Sequence, residues 1–289
     1  MSAMTMTGPM IPLAETAADL RATLTGWRNA GGRIALVPTM GALHEGHLAL
    51  AREARARADR VVVSIFVNPA QFAPHEDFAR YPRDSEKDRA MLERSAAADL
   101  IYAPAVEEIY PKGFATRLTV EGPAAGLETD FRPHFFSGVA TAVAKLFLQT
   151  RPDFAMFGEK DYQQLLVVRR LVKDLDLDLE IIGVPTVREP DGLALSSRNA
   201  YLNPEQRRTA GQLNRVLREV RERARSGISI PQAEAEGAAQ LLEAGFDRVD
   251  YVAIRDAATL AQLRDVFQPA RVLAAARVGG VRLIDNMAV

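Results

Sequence analysis

The first 184 residues alternate between short apolar runs and longer amphipathic stretches. Runs rich in β-branched residues predict strands at residues 34–37, 61–67, 100–103, 154–157 and 180–184. Stretches with apolar positions at helical spacing predict one helix ending at residue 58 and others at 85–97, 137–149 and 162–175. Continuous apolar strands separated by helices are typical of a parallel sheet buried on both faces. The pattern predicts an α/β fold with a Rossmann-like doubly wound parallel sheet.

The pattern changes after residue 184. Asn203-Pro204-Glu205 predicts the start of a long helix, because Asn caps helices and Pro fits their first turn. A helix at 232–244 and strands at 249–254, 271–278 and 281–284 follow, with Gly279-Gly280 as a hairpin turn. The sequence therefore predicts a Rossmann-like domain of residues 1–184 and a smaller α+β domain of residues 185–289.

The chain has 289 residues, a formal net charge of −1 and no cysteine. Nucleic-acid surfaces rely on an excess of Lys and Arg, so this charge indicates small ligands and no nucleic-acid partner. The lack of cysteine excludes disulfides and thiol catalysis and is compatible with a reducing compartment. Met1 to Met10 lacks the features of a signal peptide, and no apolar run approaches the roughly 20 residues of a membrane helix. We therefore expect a cytoplasmic protein without a membrane partner.

The segment His44-Glu45-Gly46-His47 follows the first predicted strand and a short turn, where a helix is predicted to begin. Two histidines three residues apart lie on one face of a helix, and the glycine between them has no Cβ to block a nucleotide. A helix N-terminus attracts phosphate, and imidazole donors there can stabilise charge developing on a triphosphate. The segment indicates ATP chemistry. Both side chains are expected to face the ligand and to be dispensable for stability.

Two other interpretations of this segment stay open. A pair of histidines can bind a metal, but the spacing differs from the HExxH pattern of zinc proteases. His75 and His134 are the remaining imidazoles of the chain, so carboxylates would have to complete such a site. A purely structural role for the two histidines is the second alternative.

Polar residues follow several of the predicted strands. In doubly wound sheets the ligand lies beyond the carboxyl ends of the strands, so these positions are candidates for binding. For any single Asn or Gln, turn chemistry is the alternative explanation. The candidates comprise residues 38–47, residues 68–72, residues 158–164 and the segment from Val187 onward.

The segment that joins the two predicted domains contains Ser196-Ser197-Arg198 after Gly192. Hydroxyls and backbone NH groups can donate to a polyphosphate, and arginine adds charge and a planar fork. Alone, these three residues fit a helix cap or a loop equally well. Combined with the histidine segment, they predict a loop that closes over the nucleotide.

These segments resemble those of the pantoate-β-alanine ligases (AMP-forming), the pantothenate synthetase family of the HxGH nucleotidyltransferase superfamily. The resemblance covers almost the whole chain. The matching segments are residues 37–47, 64–72, Tyr81-Pro82-Arg83, 157–165, 184–199 and 282–286. It implies that pantoate attacks the ATP α-phosphate to give pantoyl adenylate and pyrophosphate, and that β-alanine then displaces AMP to give pantothenate. It also implies a homodimer, and Mg²⁺ on the ATP phosphates without an assigned protein ligand.

The resemblance also implies roles for individual residues. Residues implied to contact ATP are Met40, Gly41, Ala42, Leu43, His44, Glu45, Gly46, His47, Gly158, Glu159, Lys160 and Asp161, with Val187 at the adenine and Leu195, Ser196, Ser197 and Arg198 as the phosphate loop. Gln71, Gln164 and Asn68 are the substrate-binding candidates, with Gln71 and Gln164 at pantoate and Gln71 also near β-alanine. His47 is the catalytic histidine. Negative charge on the α-phosphate and on pyrophosphate suits His44, His47, Lys160 and Arg198.

Two positions depart from the family pattern. Leu195 stands where methionine is common, an apolar replacement of similar size that we expect to be mild. Near residue 134 the usual Arg-Pro-Gly-His-Phe becomes Arg132-Pro133-His134-Phe135-Phe136, so Phe135 replaces the family histidine. The role of that histidine is therefore in doubt here.

Two other functions remain as alternatives. The first is another nucleotidyltransferase of the HxGH superfamily, which would stop at the nucleotidylated product. The second is a nucleotide-binding regulatory module without turnover. Release of pyrophosphate with pantoate, followed by release of AMP with β-alanine, would distinguish the ligase from both.

Overall fold

The computed structural model describes residues 10–74 and 76–289. The residues before Met10, which contain most of the predicted tail, and His75, a candidate metal ligand, lie outside the described residues. The chain divides into two compact units. The first unit contains the chain up to Leu118 together with Ser137–Phe157 and Val172–Val184; the second contains Thr119–Phe136, Gly158–Leu171 and Pro185–Val289.

The helices and strands occur close to the positions that the sequence pattern predicts. The strands are β1 (Leu13–Ala14), β2 (Ile34–Thr39), β3 (Arg60–Ile65), β4 (Leu100–Tyr102), β5 (Phe154–Gly158), β6 (Glu180–Val184), β7 (Arg248–Asp256), β8 (Ala270–Val278) and β9 (Val281–Ala288). The helices are α1 (Ala17–Asn29), α2 (Glu45–Arg57), α3 (Ser85–Ser95), α4 (Val106–Ile109), α5 (Glu128–Phe131), α6 (Phe135–Thr150), α7 (Tyr162–Asp174), α8 (Pro204–Arg225) and α9 (Ile230–Glu243). The sequence pattern did not predict β1, α1 or the short helices α4 and α5.

The first unit is built on a parallel sheet with the strand order β1-β4-β3-β2-β5-β6. Alternate residues of its central strands pack on opposite faces, and both faces are buried. Ala35 and Val37 pack with residues of α2 and α3, whereas Ile34 and Leu36 on the other face are also fully buried. The strand order reverses between β2 and β5, which is where doubly wound sheets bind their ligands. The predicted fold class is confirmed.

The second unit contains an antiparallel sheet in the order β7-β8-β9, with helices on both sides. Val272 and Ala274 of β8 pack with Leu213 and Leu217 of α8. Leu273, which points to the opposite face, packs with Leu166 of α7. Because both faces are covered, the polar residues buried in these strands, such as Asp285 and Asn286, need hydrogen-bond partners within the protein.

The predicted boundary between residues 184 and 185 is one of the points where the chain passes from one unit to the other. Residues 119–136 and 158–171, which the sequence analysis places in the first domain, belong to the second unit. An ion pair accounts for the first of these segments: buried Glu128 accepts hydrogen bonds at 2.7 and 2.8 Å from Arg282 of β9 and one at 2.8 Å from Tyr251 of β7. Tyr162 of α7 similarly donates to the carbonyl oxygen of Ala257 at 2.8 Å.

Among the helices that the structure describes, none combines the length and apolarity that a bilayer crossing requires.

Candidate active site

The two histidines of the HxGH segment cap the N-terminus of α2. His44 is the N-cap residue, and its Nδ1 accepts a hydrogen bond from the backbone NH of Gly46 at 3.1 Å. His47 lies in the first turn, and its Nδ1 accepts from the backbone NH of His44 at 3.3 Å. This arrangement is a capping box in which imidazoles replace the usual hydroxyl and carboxylate. The ring centroids lie 4.1 Å apart.

These hydrogen bonds determine which nitrogen of each ring carries a proton. Because Nδ1 accepts in both His44 and His47, the neutral rings must carry their proton on Nε2. Two imidazole NH donors are thus presented at a helix N-terminus, where the helix dipole already favours an anion. The side chains were expected to be dispensable for stability, but each accepts a hydrogen bond from a backbone NH at the N-terminus of α2, of Gly46 for His44 and of the N-cap residue His44 for His47.

The turn before α2 depends on a residue that the sequence analysis missed. Gly41 and Ala42 have φ angles of 78° and 50°, in the left-handed region. The carboxylate of Asp88, on α3, accepts from the backbone NH of Ala42 at 2.9 Å and of Leu43 at 2.7 Å. Burial raises the pKa of the Asp88 carboxyl, while these two hydrogen bonds oppose the shift. Asp88 therefore fixes the backbone that leads into His44.

Asn68 and Gln71 lie together after β3. The amide of buried Asn68 donates to Gln71 Oε1 and to the Gly138 carbonyl oxygen, each at 3.1 Å. Its oxygen accepts from the Tyr110 hydroxyl at 2.7 Å and from the backbone NH of Ala70 at 3.2 Å. Burial raises the pKa of Tyr110 to about 12, so this hydroxyl keeps its proton. All hydrogen-bonding positions of the Asn68 amide are thus occupied inside the first unit.

Gln71 connects this group to the turn before the HxGH segment. Its amide nitrogen lies 3.0 Å from the sulfur of Met40. Gly138 of α6 is packed so tightly against this group that a Cβ there would lie 2.2 Å from the carbonyl oxygen of Ala70. The structure therefore brings Met40, Asn68 and Gln71 together and reveals Gly138 as a second residue whose importance the pattern did not indicate.

Glu45 is the exposed member of the HxGH segment. Its carboxylate forms an ion pair with Arg52 about two turns along α2, and this hydrogen bond lowers the pKa of Glu45. With its side chain directed to Arg52, Glu45 can serve a ligand at the helix start through its backbone NH.

In the second unit, the predicted ATP contacts Glu159, Lys160 and Asp161 form a single 3₁₀ turn. The Lys160 ammonium lies 3.7 Å from Asp161 Oδ1, and Glu159 pairs with Arg271 at 3.0 Å. The side-chain amide of Asn286 donates to the backbone carbonyl oxygens of Glu159 and Lys160 at 2.9 and 2.8 Å. The turn is therefore held mainly through its backbone and through Glu159.

The two neighbouring glutamines at the start of α7 have different environments. Gln163 is buried, donating to the carbonyl oxygens of Pro123 and Gly126 and accepting from the backbone NH of Glu128. Gln164, the predicted pantoate ligand, is partly exposed. The structure thus leaves Gln164 better placed than Gln163 to contact a ligand.

Val187 and the Ser-Ser-Arg segment belong to one small hairpin of the second unit. Arg188 and Ala194 form an antiparallel bridge, and the backbone NH of Leu195 donates to the Val187 carbonyl oxygen at 3.0 Å. Ser196 caps the following 3₁₀ helix, with its hydroxyl accepting from the backbone NH of Arg198 at 3.3 Å. Ser196 therefore acts as a helix cap in this structure, one of the two roles that its sequence alone allows.

The departure from the family pattern lies at the start of α6. Phe135 packs under the guanidinium of Arg132, whose Cζ is 3.8 Å from the ring centroid. His134 Nε2 is buried and has no hydrogen-bond partner within the described residues. Phe135 therefore makes an aromatic contact at a position where the family has an imidazole.

The predicted residues accordingly form two groups. The first unit contains the HxGH segment, Met40, Asn68 and Gln71, and the second contains the Glu159–Asp161 turn, Gln164 and the hairpin with its Ser-Ser-Arg segment. Within residues 10–74 and 76–289, no cluster of three or more His, Asp or Glu side chains could hold a metal ion.

A doubly wound sheet with an HxGH segment capping a helix after a central strand defines a nucleotide-binding enzyme class. The chain belongs to the pantoate-beta-alanine ligase family, whose sequence pattern it matches over residues 12–288. It is 56% identical over 279 residues to the pantothenate synthetase of Nitrobacter hamburgensis, covering 96% of this chain and 98% of that protein. The pantothenate synthetase of Rhodospirillum rubrum is 56% identical over 280 residues, with coverage of 96% and 99%.

Solved structures give the same result. The pantothenate synthetase of Thermus thermophilus superposes with a TM-score of 0.89 at 52% identity, covering 96% of this chain and 99% of that one. A pantoate-beta-alanine ligase of Francisella tularensis, solved with β,γ-ATP and β-alanine, has a TM-score of 0.80 at 34% identity, with coverage of 96% and 97%. The resemblance stated from the sequence is confirmed. The chain is a ligase that uses ATP and forms pantothenate.

Proposed function

We propose that the chain joins pantoate to β-alanine through a pantoyl adenylate. A carboxylate oxygen of pantoate attacks the α-phosphorus of ATP, the bond to the bridging oxygen breaks, and pyrophosphate leaves. The amine of β-alanine then attacks the acyl carbon, AMP leaves, and the nitrogen loses a proton as the amide forms. The histidine capping box carries this proposal, because it presents two NH donors where charge develops.

His44 and His47 are assigned to the phosphates of ATP, with His47 as the catalytic histidine. Both Nε2–H groups donate to phosphate oxygens, and the helix dipole of α2 adds to the stabilisation of negative charge. Met40, Gly41, Ala42 and Leu43, held by Asp88, provide backbone contacts to the same nucleotide.

The groups of the second unit are proposed to contact ATP as well. Lys160 and Arg198 supply positive charge for the α-phosphate and the departing pyrophosphate. The hydroxyls of Ser196 and Ser197 donate to phosphate oxygens, and Val187 contacts the adenine. Gly158, Glu159 and Asp161 contribute through the backbone of the 3₁₀ turn, and Leu195 fixes the start of the phosphate loop.

Pantoate is assigned to the amides of Gln71 and Gln164. Its hydroxyls and carboxylate both donate and accept, as an amide also does. Because the Asn68 amide is fully used within the protein, we assign it to positioning Gln71 and not to contacting substrate. β-Alanine is placed near Gln71.

We also propose that magnesium arrives with the substrate, as MgATP. Mg²⁺ keeps several waters and is commonly bound through substrate phosphates, and the proposal assigns it no protein ligand. A cytoplasmic location and a homodimeric assembly complete the proposal. The homodimer is implied by the resemblance, and the lack of cysteine suits a reducing compartment. Sedimentation at equilibrium should give the mass of two chains.

An assay with omitted substrates tests the reaction. Pyrophosphate release should require ATP and pantoate and should proceed for one turnover without β-alanine, whereas AMP release should require β-alanine. Pyrophosphate release without any β-alanine-dependent AMP would favour a nucleotidyltransferase of the same superfamily. Absence of both products would favour a binding module.

A further inference from the structure

Strand β9 carries two consecutive buried polar residues, Asp285 and Asn286, which are 3% and 4% exposed. Consecutive residues of a strand point to opposite faces of the sheet. The cross-strand partners agree with this. Asp285 lies opposite Ala274, part of the apolar cluster beneath α8, whereas Asn286 lies opposite Leu273, which packs with Leu166 on the other face. These two neighbouring residues of β9 therefore place one buried polar side chain on each face of the sheet.

On one face, Asn286 holds the turn that contains Lys160. Its amide nitrogen has two hydrogens, and these fit the two donations, at 2.9 and 2.8 Å, to the carbonyl oxygens of Glu159 and Lys160. Two successive peptide groups are thereby fixed against β9. On the same face, Arg271 of β8 pairs with the Glu159 carboxylate at 3.0 Å and stacks on Tyr162, with its Cζ 3.7 Å from the ring centroid.

On the opposite face, Asp285 holds the hairpin that leads into the Ser-Ser-Arg segment. Its carboxylate accepts hydrogen bonds at 2.7 and 2.9 Å from the guanidinium of Arg188 and one at 3.2 Å from the amide of Asn214. Arg188 also donates to the Gly192 carbonyl oxygen at 3.0 Å, across the hairpin. This bidentate pair orients the hairpin as well as anchoring it.

We propose that Asp285 and Asn286 are positioning residues that hold the two ATP-contacting segments of the second unit in register with each other. Asn286 places Lys160, and Asp285, through Arg188, places Ser196, Ser197 and Arg198. The inference rests on the proposed function, because it requires Lys160 and Arg198 to contact ATP. Groups that stabilise developing charge lose much of their effect when displaced by about 1 Å, so anchoring both segments to one rigid strand serves catalysis directly.

Two near-isosteric substitutions test the anchor. Asn286→Asp replaces the NH₂ donor with an oxygen that repels both carbonyl groups, and Asp285→Asn removes the charge that pairs with Arg188. Each should lower kcat/KM for ATP on the order of tenfold to a hundredfold, with the KM for pantoate changed by less than about twofold. Asn286→Ala deletes the donors without adding charge and gives a second test if Asn286→Asp does not fold.

Val278→Ala provides a control for lost stability. Val278 is buried in the same sheet but pairs with Val281 at the hairpin end, five residues and therefore about 17 Å along β9 from Asn286. It should lower the melting temperature and leave kcat/KM for ATP unchanged. An equal loss of kcat/KM for ATP in this control would overturn the inference, since loss of stability alone would then explain the effect.

Double mutants distinguish positioning from general damage. If Asn286 acts through Lys160, adding Asn286→Asp to Lys160→Ala should lower kcat/KM for ATP far less than it does in the wild type; Asp285→Asn combined with Arg198→Ala should behave likewise. Fully additive losses would overturn the inference. A normal Lys160→Ala enzyme would instead refute the proposed ATP contact, whereas an impaired Lys160→Ala with a normal Asn286→Asp would refute the positioning role alone.

Discussion

At the scale of single residues, the two histidines combine a structural and a chemical task. The Nδ1 atoms of His44 and His47 cap α2, and this leaves the proton of each neutral ring on Nε2. We predict that His47→Ala and His44→Ala each slow adenylation by on the order of a hundredfold or more, because each removes a preorganised donor. Each should also cost about 1 kcal/mol of stability through the lost cap.

Single-turnover formation of the adenylate and thermal unfolding measure the two effects separately. His47→Asn and His44→Asn are suitable controls, because an Asn side chain can accept from a backbone NH and so retain part of the cap. These variants should recover stability without recovering the rate. A rate near that of the wild type in the alanine variants would contradict the assignment.

At the scale of secondary structure elements, close packing of α6 against the segment after β3 sets the position of Gln71. A Cβ at residue 138 would lie 2.2 Å from the Ala70 carbonyl oxygen and 2.8 Å from the Gln71 backbone nitrogen. We predict that Gly138→Ala displaces Gln71 and raises the KM for pantoate by roughly tenfold or more, with a smaller effect on ATP binding. Steady-state kinetics with each substrate varied, together with calorimetric titration of ATP, provide the measurement.

Gly26 gives a matched control for this substitution. It lies within α1, and a Cβ there would meet no atom within 4 Å. Gly26→Ala should leave both KM values unchanged and stabilise the helix slightly, since alanine favours helix more than glycine does. Equal pantoate KM values for Gly138→Ala and the wild type would argue against this role for the packing of α6.

The hairpin that precedes Ser196 is a second element with a predicted response to ligand. Arg188 anchors the base of this hairpin to Asp285, while Gly192 at its tip has a φ of 94°, and we predict that residues 189–198 close over the phosphates beyond that anchor when ATP binds. Tryptic cleavage after Arg198 should therefore slow when ATP and Mg²⁺ are added. Cleavage after the exposed Arg264 serves as an internal control and should not change. Equal cleavage rates at Arg198 with and without ligand would contradict closure.

At the scale of the whole molecule, local sequence signals predicted most helices and strands, but they did not predict the polar contacts between residues far apart in the chain. Asn203 caps α8 with Gln206 as its capping-box partner, because that chemistry spans three residues. Asp88 bonds to Leu43 over a separation of 45 residues, and Asn286 bonds to Glu159 over 127. The sequence around a single polar residue in an apolar strand or on a helix does not indicate which distant residue it will contact. For the same reason, the pattern placed residues 119–136 with the first domain.

That segment is tied into the second unit by a buried charge network, which leads to a prediction about acid stability. Burial alone would raise the pKa of Glu128, but the hydrogen bonds and charge of Arg282 outweigh it, so the pKa of this carboxyl is lowered. A carboxyl with a lower pKa in the folded chain than in the unfolded chain stabilises the fold. This stabilisation is fully present above the unfolded-chain pKa of about 4.5 and is lost as the pH falls through the folded-chain pKa.

Glu128→Gln should therefore be destabilised near neutral pH, by roughly 2–3 kcal/mol, because buried Arg282 would lose one of its two carboxylate partners and keep only Asp250. The gap in unfolding free energy between wild type and variant should narrow as pH falls below about 4.5, where Glu128 gains a proton more readily in the unfolded chain. Denaturant titrations from pH 7 down to pH 3 measure this gap. Glu219→Gln, at an exposed ion pair with Arg215, should show a difference below about 1 kcal/mol throughout. A gap for Glu128→Gln that stays constant with pH would mean that its carboxyl is not the titrating group.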